Sequence, residues 1–432
     1  VGAARVAAAG RPGGGARSDM MGAPRVANRP MQTSLLSSEF LAIAFAAIVL
    51  LGALRGWPRA ASFTVLNVLF LWAFLGPIGT ASTVAFCALG YALLRAVQAR
   101  SGPGLGVVIG VAVALFAWMR QYELLTWMLP EPLITRILAT AGLSFLLFKI
   151  LHLLIEARSG TLGPIDAASY VNYCLNFTTF LMGPIQRFPD FREQWSGERE
   201  PIPRTFEAHL DAVLRILVGF VKAYVLAIWF EQRGLRPDTD LTELNLVGWF
   251  FTSYCFYFYL YLNFSGYCDV VIGVGSLMGV RPPENFDKPF ISRNISDFWQ
   301  RQHRSLTLWL TDYVFSPAYK RALESERFRG HTLLAANGAL MLTMLVSGLW
   351  HGTTLAFLFF GLAHGLYQVV YRSWDTFLTR RWGRKRVRAF RERWDVHLIG
   401  IALTFNATAF AFVFFRVETS LLLDLARQWT GA

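Results

Sequence analysis

Charge is what this sequence has little of. Lys and Arg number 41 and Asp and Glu 28 in 432 residues, only 16% together, where soluble domains carry about 25%. That shortage argues against two or three ordinary soluble domains, which the length alone would allow. Cysteine is scarce too. Cys87, Cys174, Cys255 and Cys268 lie in apolar runs without paired spacing, so they read as buried small apolar side chains rather than disulfides or metal ligands. The common catalytic signatures are also missing. There is no G-x-S-x-G elbow, no Walker A, no G-x-G-x-x-G and no H-E-x-x-H.

Apolar residues are abundant, at 54% of the chain, with 15% aromatic. Runs near 20 residues recur from residue 34 onward, and about 20 apolar residues cross a bilayer. The predicted spans are 36–54, 61–78, 81–98, 105–119, 133–155, 170–185, 209–231, 245–263, 332–350, 353–371 and 396–415, with a glycine-rich apolar run at 266–280. The runs at 170–185 and 266–280 are short and read as half-helices or re-entrant pieces, which need burial in protein or contact with water. The fold class is therefore all-α and polytopic, with roughly 9–12 crossings plus re-entrant or interfacial helices. Residues 1–33, rich in Gly, Ala and Arg, lack the apolar core of a signal peptide and read as a disordered or non-native tail. Residues 34–432 form the single membrane domain.

The net charge of +13 resides in loops. Basic loops are held in the cytoplasm, so the excess is assigned to topology, and nucleic acid is not an expected partner. Placing Arg55, Arg59, Arg95, Arg100, Lys320, Arg321, Arg327, Arg329 and the run at 372–393 in the cytoplasm gives a consistent alternation. It predicts that the first span starts, and the C-terminus ends, outside. The 372–393 run reads as a solvated loop or as an interfacial helix holding anionic lipid.

One stretch breaks the apolar pattern. Residues 263–320 carry many polar groups, and SGLWHG follows at Ser347–Gly352. Ionisable groups inside a membrane domain line cavities or paths. His303 lies in DFWQRQHRSLTLWLTDYVF, where Trp299, Leu306, Trp309, Leu310 and Val314 recur at helical spacing. That pattern predicts one amphipathic helix, either on the membrane surface or lining a cavity. His351 ends an apolar span. Taken alone it reads as structural; as a functional group it is a neutral base able to take a proton from a hydroxyl. His364 and His152 read as packed, hydrogen-bonded interior histidines. Gly183-Pro184 with Arg187 reads as a helix stop with a snorkelling arginine.

Taken together, the pieces resemble the membrane-bound O-acyltransferase family, in the branch of alginate O-acetyltransferases and teichoic acid D-alanyl transfer proteins. They are GPIQRF at 183–188, NFSGYCDVVIGVGSLMG at 263–279, RPPENFDKPFISRNISDFWQRQH at 281–303, LTLWLTDYVF at 306–315, SGLWHG at 347–352, FGLAHG at 360–365 and FVFFRVETS at 412–420. The resemblance implies helices around a polar funnel. It makes His351 the catalytic base and His303 the second histidine of the site. It places Asp269, Asn285, Trp299, Arg301 and Trp350 along the substrate path. No metal and no bound cofactor are expected; the acyl donor is a cytoplasmic thioester, acetyl-CoA or an acyl carrier protein. The acceptor is an extracytoplasmic polysaccharide hydroxyl, reached directly or through a periplasmic acetyl-transfer partner. The chain is expected to be an acyltransferase moving groups other than aminoacyl groups, most simply acetyl, in the bacterial plasma membrane.

Departures from the family pattern leave the substrate open. Asn263 and Cys268 stand where Asp and Ser are common, Gln302 where Trp is common, and SPAYKRALESERFRG where many alginate-type members carry Leu-Gly-Gly-Asn-Arg. D-alanyl transfer from a carrier protein is the rival within enzymes. A non-enzymatic transporter or scaffold is the rival outside them; a transporter calls for charged spans and an inverted repeat.

Overall fold

The structure, a computed structural model, describes residues 36–99, 104–120, 142–200, 202–203, 205–234, 245–416 and 419. The described residues form helices and no strand. Residues 1–35, residues 133–141 of the 133–155 span and most of the chain beyond 416 lie outside them. Among the described residues four helices are long and apolar enough to cross a membrane: Gly56–Gln98, Phe206–Gly234, Thr332–His351 and Trp394–Phe415. Ser38–Ala53 and Leu105–Arg120 are shorter apolar helices. Much of their apolar surface points outward. Phe45, Leu69, Trp72, Leu217, Leu403 and Phe410 are all exposed, as expected of a belt facing lipid rather than water.

We number the helices that position the site in chain order: α1 is Gly56–Gln98, α2 Leu143–Ser159, α3 Ala167–Cys174 and α4 Phe206–Gly234. The long α1 is two spans, as the sequence predicts. Gly76 inside it has φ 68° and ψ 179°, and Pro77 follows. Thr64 and Cys87 both reach α3, through Asn172 Oδ1 and the Tyr170 hydroxyl. A straight helix would hold those two residues about 34 Å apart, so the chain folds back at Gly76.

The 170–185 run is broken and buried, as expected of a re-entrant piece. The helix of α3 stops at Cys174, a single turn spans Phe177–Phe180, and non-helical chain follows. Lys149 on α2 serves this break. Its ammonium donates to the carbonyls of Tyr173 (2.9 Å) and Cys174 (3.3 Å) and to Thr179 Oγ1 (2.8 Å). Carbonyls freed at a helix end inside a membrane need such a partner.

Two expectations are corrected. The run at 266–280 is not a separate half-helix. It continues the preceding span as one helix, α5, Leu246–Met278. Its glycines permit close packing. A Cβ on Gly266 would lie 2.6 Å from the Gly219 carbonyl of α4, and one on Gly273 would lie 2.8 Å from that of Ala212. Nor is 297–315 one helix. It divides into α6, Ile295–Arg301, and α7, Arg304–Leu310, followed by a π-helical turn at Thr311–Phe315. The break falls at His303, which takes a left-handed conformation with φ 47° and ψ 50°.

Thr332–His351 (α8) and Leu355–Trp382 (α9) form an antiparallel hairpin, with Asn337 Nδ2 donating to Ser373 Oγ near its basic end. Beyond Gly383 a short helix, α10, Arg384–Glu392, carries four arginines and a lysine and buries Val387. A further apolar helix, α11, is Trp394–Phe412. Arg55, Arg59 and Arg199 line one cleft, and Arg293, Arg380, Arg384 and Arg388 line another. The loop that leaves α5 past Gly279 and runs to Asn294 links them. The basic residues of the predicted loops thus gather in two clefts. All four cysteines are free and buried.

Candidate functional site

The α8–α9 hairpin places His351. A Cβ on Gly361 would lie 2.5 Å from the Met344 carbonyl, and one on Gly348 would collide with the Phe357 carbonyl. These contacts seat the last turn of α8 on the first turns of α9. The ring of His351 then lies 4.8 Å from Trp350, 5.5 Å from Phe360 and 5.0 Å from Phe415, centroid to centroid. Neither of its nitrogens bonds a described residue.

His303 reaches the same place from the opposite side. A continuous helix would turn it with its neighbours. The left-handed residue instead closes α6 and starts α7, and two backbone bonds brace it: Asp287 N–H to the Arg301 carbonyl and Arg304 N–H to the Asn285 carbonyl, both 2.9 Å. Such a conformation is unusual for a residue other than glycine and marks a constrained position. The buried His303 ring packs on Phe264 at 4.9 Å and on Trp350 at 5.8 Å, and lies 6.3 Å from His351. The two imidazoles thus stand edge to face across one small space between α7 and the end of α8.

The remaining predicted residues divide. Trp350 belongs to the site, as a wall: it stacks on Phe148 at 5.2 Å, which stacks on Trp309 at 4.1 Å. Asn285 lies against His303, with Oδ1 3.2 Å from Nδ1. Trp299 sits deeper, 5.0 Å from His364, with its indole N–H unpartnered among the described residues. Asp269 is held in ion pairs with Arg215 Nε at 3.0 Å and Lys222 Nζ at 2.6 Å. Arg301 is paired with Asp297 at 2.7 Å. Both charges are engaged in ion pairs, and among the described residues neither is bonded to His303 or His351.

His364 departs from expectation. It is fully buried between Trp299, Phe298, Phe360 and Phe412, but its nitrogens find no hydrogen-bond partner among the described residues. His152 does behave as a bonded interior residue. Its Nε2 accepts from Phe188 N–H at 3.0 Å, so Nδ1 donates to the Tyr313 hydroxyl at 2.7 Å, which donates to Glu156 at 2.6 Å. Sequence reasoning missed Ser305, which bonds Asn285, because a serine opening a helix reads as an ordinary cap. Phe415 lies in FVFFRVETS, but nothing in the sequence ties it to His351.

A cavity of about 500 Å³ approaches this centre, lined by Trp299, Thr307, Met344, Gln368 and Arg372. At Asp375 and Thr376 it meets the arginine-lined cleft of α9 and α10. No cluster of three or more His, Cys, Asp and Glu suited to a metal occurs among the described residues.

The profile of MBOAT, the membrane-bound O-acyltransferase family, matches residues 107–403. A teichoic acid D-alanyltransferase of Streptococcus thermophilus is 31% identical over 286 residues, 63% of this chain and 67% of that one. The Bacillus subtilis protein of the same name is 29% identical over 281 residues, 63% of this chain and 68% of that one. A probable alginate O-acetylase of Azotobacter vinelandii is 30% identical over 301 residues, 66% of this chain but only 56% of the relative.

Proposed function

Because the chain belongs to the membrane-bound O-acyltransferase family, we propose that it moves an acetyl group from a cytoplasmic thioester to a hydroxyl outside the bilayer. The acceptor is a cell-surface polysaccharide, or a periplasmic partner protein that passes the group on. The membrane is the bacterial plasma membrane, crossed many times, with the arginine-rich face in the cytoplasm. The observation that carries this reading is the approach of the His303 and His351 rings to 6.3 Å, one from the break between α6 and α7 and one from the end of α8, inside an otherwise aromatic wall.

In this mechanism His351 takes the proton of the acceptor hydroxyl as its oxygen attacks the thioester carbonyl carbon. The carbon–sulfur bond breaks, and the departing thiolate takes the proton from the imidazolium. The protein supplies orientation by holding both substrates at one constriction. No acyl-enzyme is needed. The donor, acetyl-CoA or an acyl carrier protein, enters through the cavity beside Arg372 and Trp299 and is a substrate rather than a bound cofactor.

A second reading is D-alanyl transfer from a carrier protein toward a teichoic acid-like polymer. It draws support from the relatives of that name, whose lengths this chain covers more fully than that of the alginate relative.

The test is a deletion strain complemented with wild type or His351→Ala. Ester-linked acetate and ester-linked D-alanine are measured on the surface polymer, with protein quantified in the membrane. Loss of one ester with protein present supports the role and identifies the group. Full acylation by His351→Ala would remove His351 as the base.

A further inference from the structure

The hydrogen bonds around Asn285 fix the state of His303. Ser305 N–H, which can only donate, lies 3.1 Å from Asn285 Oδ1. The atom facing it is therefore the amide oxygen, and the side-chain flip is settled by chemistry rather than assumed. The same oxygen accepts from Ser305 Oγ at 2.8 Å. That hydroxyl is free to donate because it accepts from Ile185 N–H at 2.9 Å. On the other side of the amide, Asn285 Nδ2 donates to Cys268 Sγ at 3.5 Å. Every contact agrees on one orientation.

His303 Nδ1 lies 3.2 Å from this oxygen. An amide oxygen has no hydrogen to donate, so Nδ1 carries the hydrogen. We infer that Asn285 is a positioning residue, not a substrate contact, and that it locks His303 in the Nδ1–H form with Nε2 as a bare acceptor. Which ring nitrogen is protonated is set by the bond the other makes, and here the protein makes that bond through residues from four segments.

The consequence sorts the roles at the site proposed above. The Nε2 of neutral His303 accepts a hydrogen bond from a substrate O–H and has none to donate to the thioester oxygen. Charge developing on that oxygen is met by another donor. His351, bonded to no described residue, keeps both tautomers open. The arrangement also gives Cys268 a purpose: it is the acceptor that anchors the amide, a task serine performs equally well.

The test is nitrogen NMR of the full chain in lipid bilayers, labelled with ¹⁵N-histidine, with the His303 signals assigned by their loss in His303→Gln. Wild type is expected to show protonated Nδ1 and bare Nε2. Cys268→Ser should match it, and Asn285→Leu should shift population to Nε2–H. An Nε2–H signal in wild type, or an unchanged tautomer in folded Asn285→Leu, would overturn the proposal. If Asn285→Leu does not fold, the wild-type and Cys268→Ser spectra still decide. A kinetic arm uses thiol release from acetyl-CoA. Asn285→Leu should slow kcat at least tenfold, and Asn285→Asp, which still accepts from Nδ1, should recover part of it. The NMR result does not depend on acyl transfer, so failure of the proposed reaction and failure of this assignment are separable.

Discussion

Gly361 of α9 lies so close to Met344 of α8 that an added methyl group would sit 2.5 Å from the Met344 carbonyl. This crossing sets where His351 stands. Gly361→Val forces the hairpin apart. Overpacking of this kind costs about 1–3 kcal/mol, whereas a displacement of about 1 Å at a reacting group costs about 100-fold in rate. Acyl transfer should therefore fall much further than the thermal midpoint of the purified protein. Equal activity at equal expression would disconnect the crossing from the site.

Asp269 offers a sharper choice between scaffold and substrate contact. Its carboxylate is shared by Arg215 and Lys222 and is mostly buried. Removing one partner of a buried pair strands the others. With both cations partly solvated, Asp269→Asn should cost about 1–3 kcal/mol. A lowered thermal midpoint with unchanged KM is expected. A raised KM with an unchanged midpoint would return Asp269 to the substrate path.

Glu284 carries a pH dependence. It lies in the loop after α5, outside the spanning helices. Burial pushes its carboxyl up, but hydrogen bonds and charge from Arg215 and Arg281 outweigh this and hold it below its ordinary 4.5. A carboxyl depressed in the folded state adds stability above its unfolded pKa and loses it as pH falls through the folded one. The thermal midpoint should therefore drop as pH goes below about 4.5. A scan of Glu284→Gln should show a shallower decline; parallel curves would assign the acid sensitivity elsewhere.

The cavity beside Trp299 can be filled. Thr307 lines it and is only partly buried. If the donor enters there, Thr307→Trp should lower kcat/KM for the donor about tenfold, worth ~1.4 kcal/mol, while sparing the thermal midpoint. An unchanged donor kcat/KM would move the entry path.

Much of this was legible in the chain itself. Apolar run length gave the spans, because a bilayer imposes a length, and the folded-back halves about Gly76 follow from an uncharged, Gly-Pro linker. Two things were hidden. Glycines at 266 and 273 read as helix weakness, yet they serve contact with α4; composition cannot tell a break from a notch. The periodic pattern around His303 is that of one helix, and nothing local announces a left-handed residue in it. That conformation is imposed from residues 285 and 287, through bonds to the chain on either side. Ser305, Cys268 and Phe415 were silent for the same reason: their roles depend on partners more than ten residues away.

The bond from Ile185 N–H to Ser305 Oγ spans 120 residues. It closes only after the chain has been made beyond residue 305 and both segments have entered the bilayer. Until then Asn285 lacks two of its donors and His303 its anchor. Ribosome-bound nascent chains that stop short of Ser305 therefore carry the early spans without a formed site, and the enzyme becomes competent late in its own biogenesis.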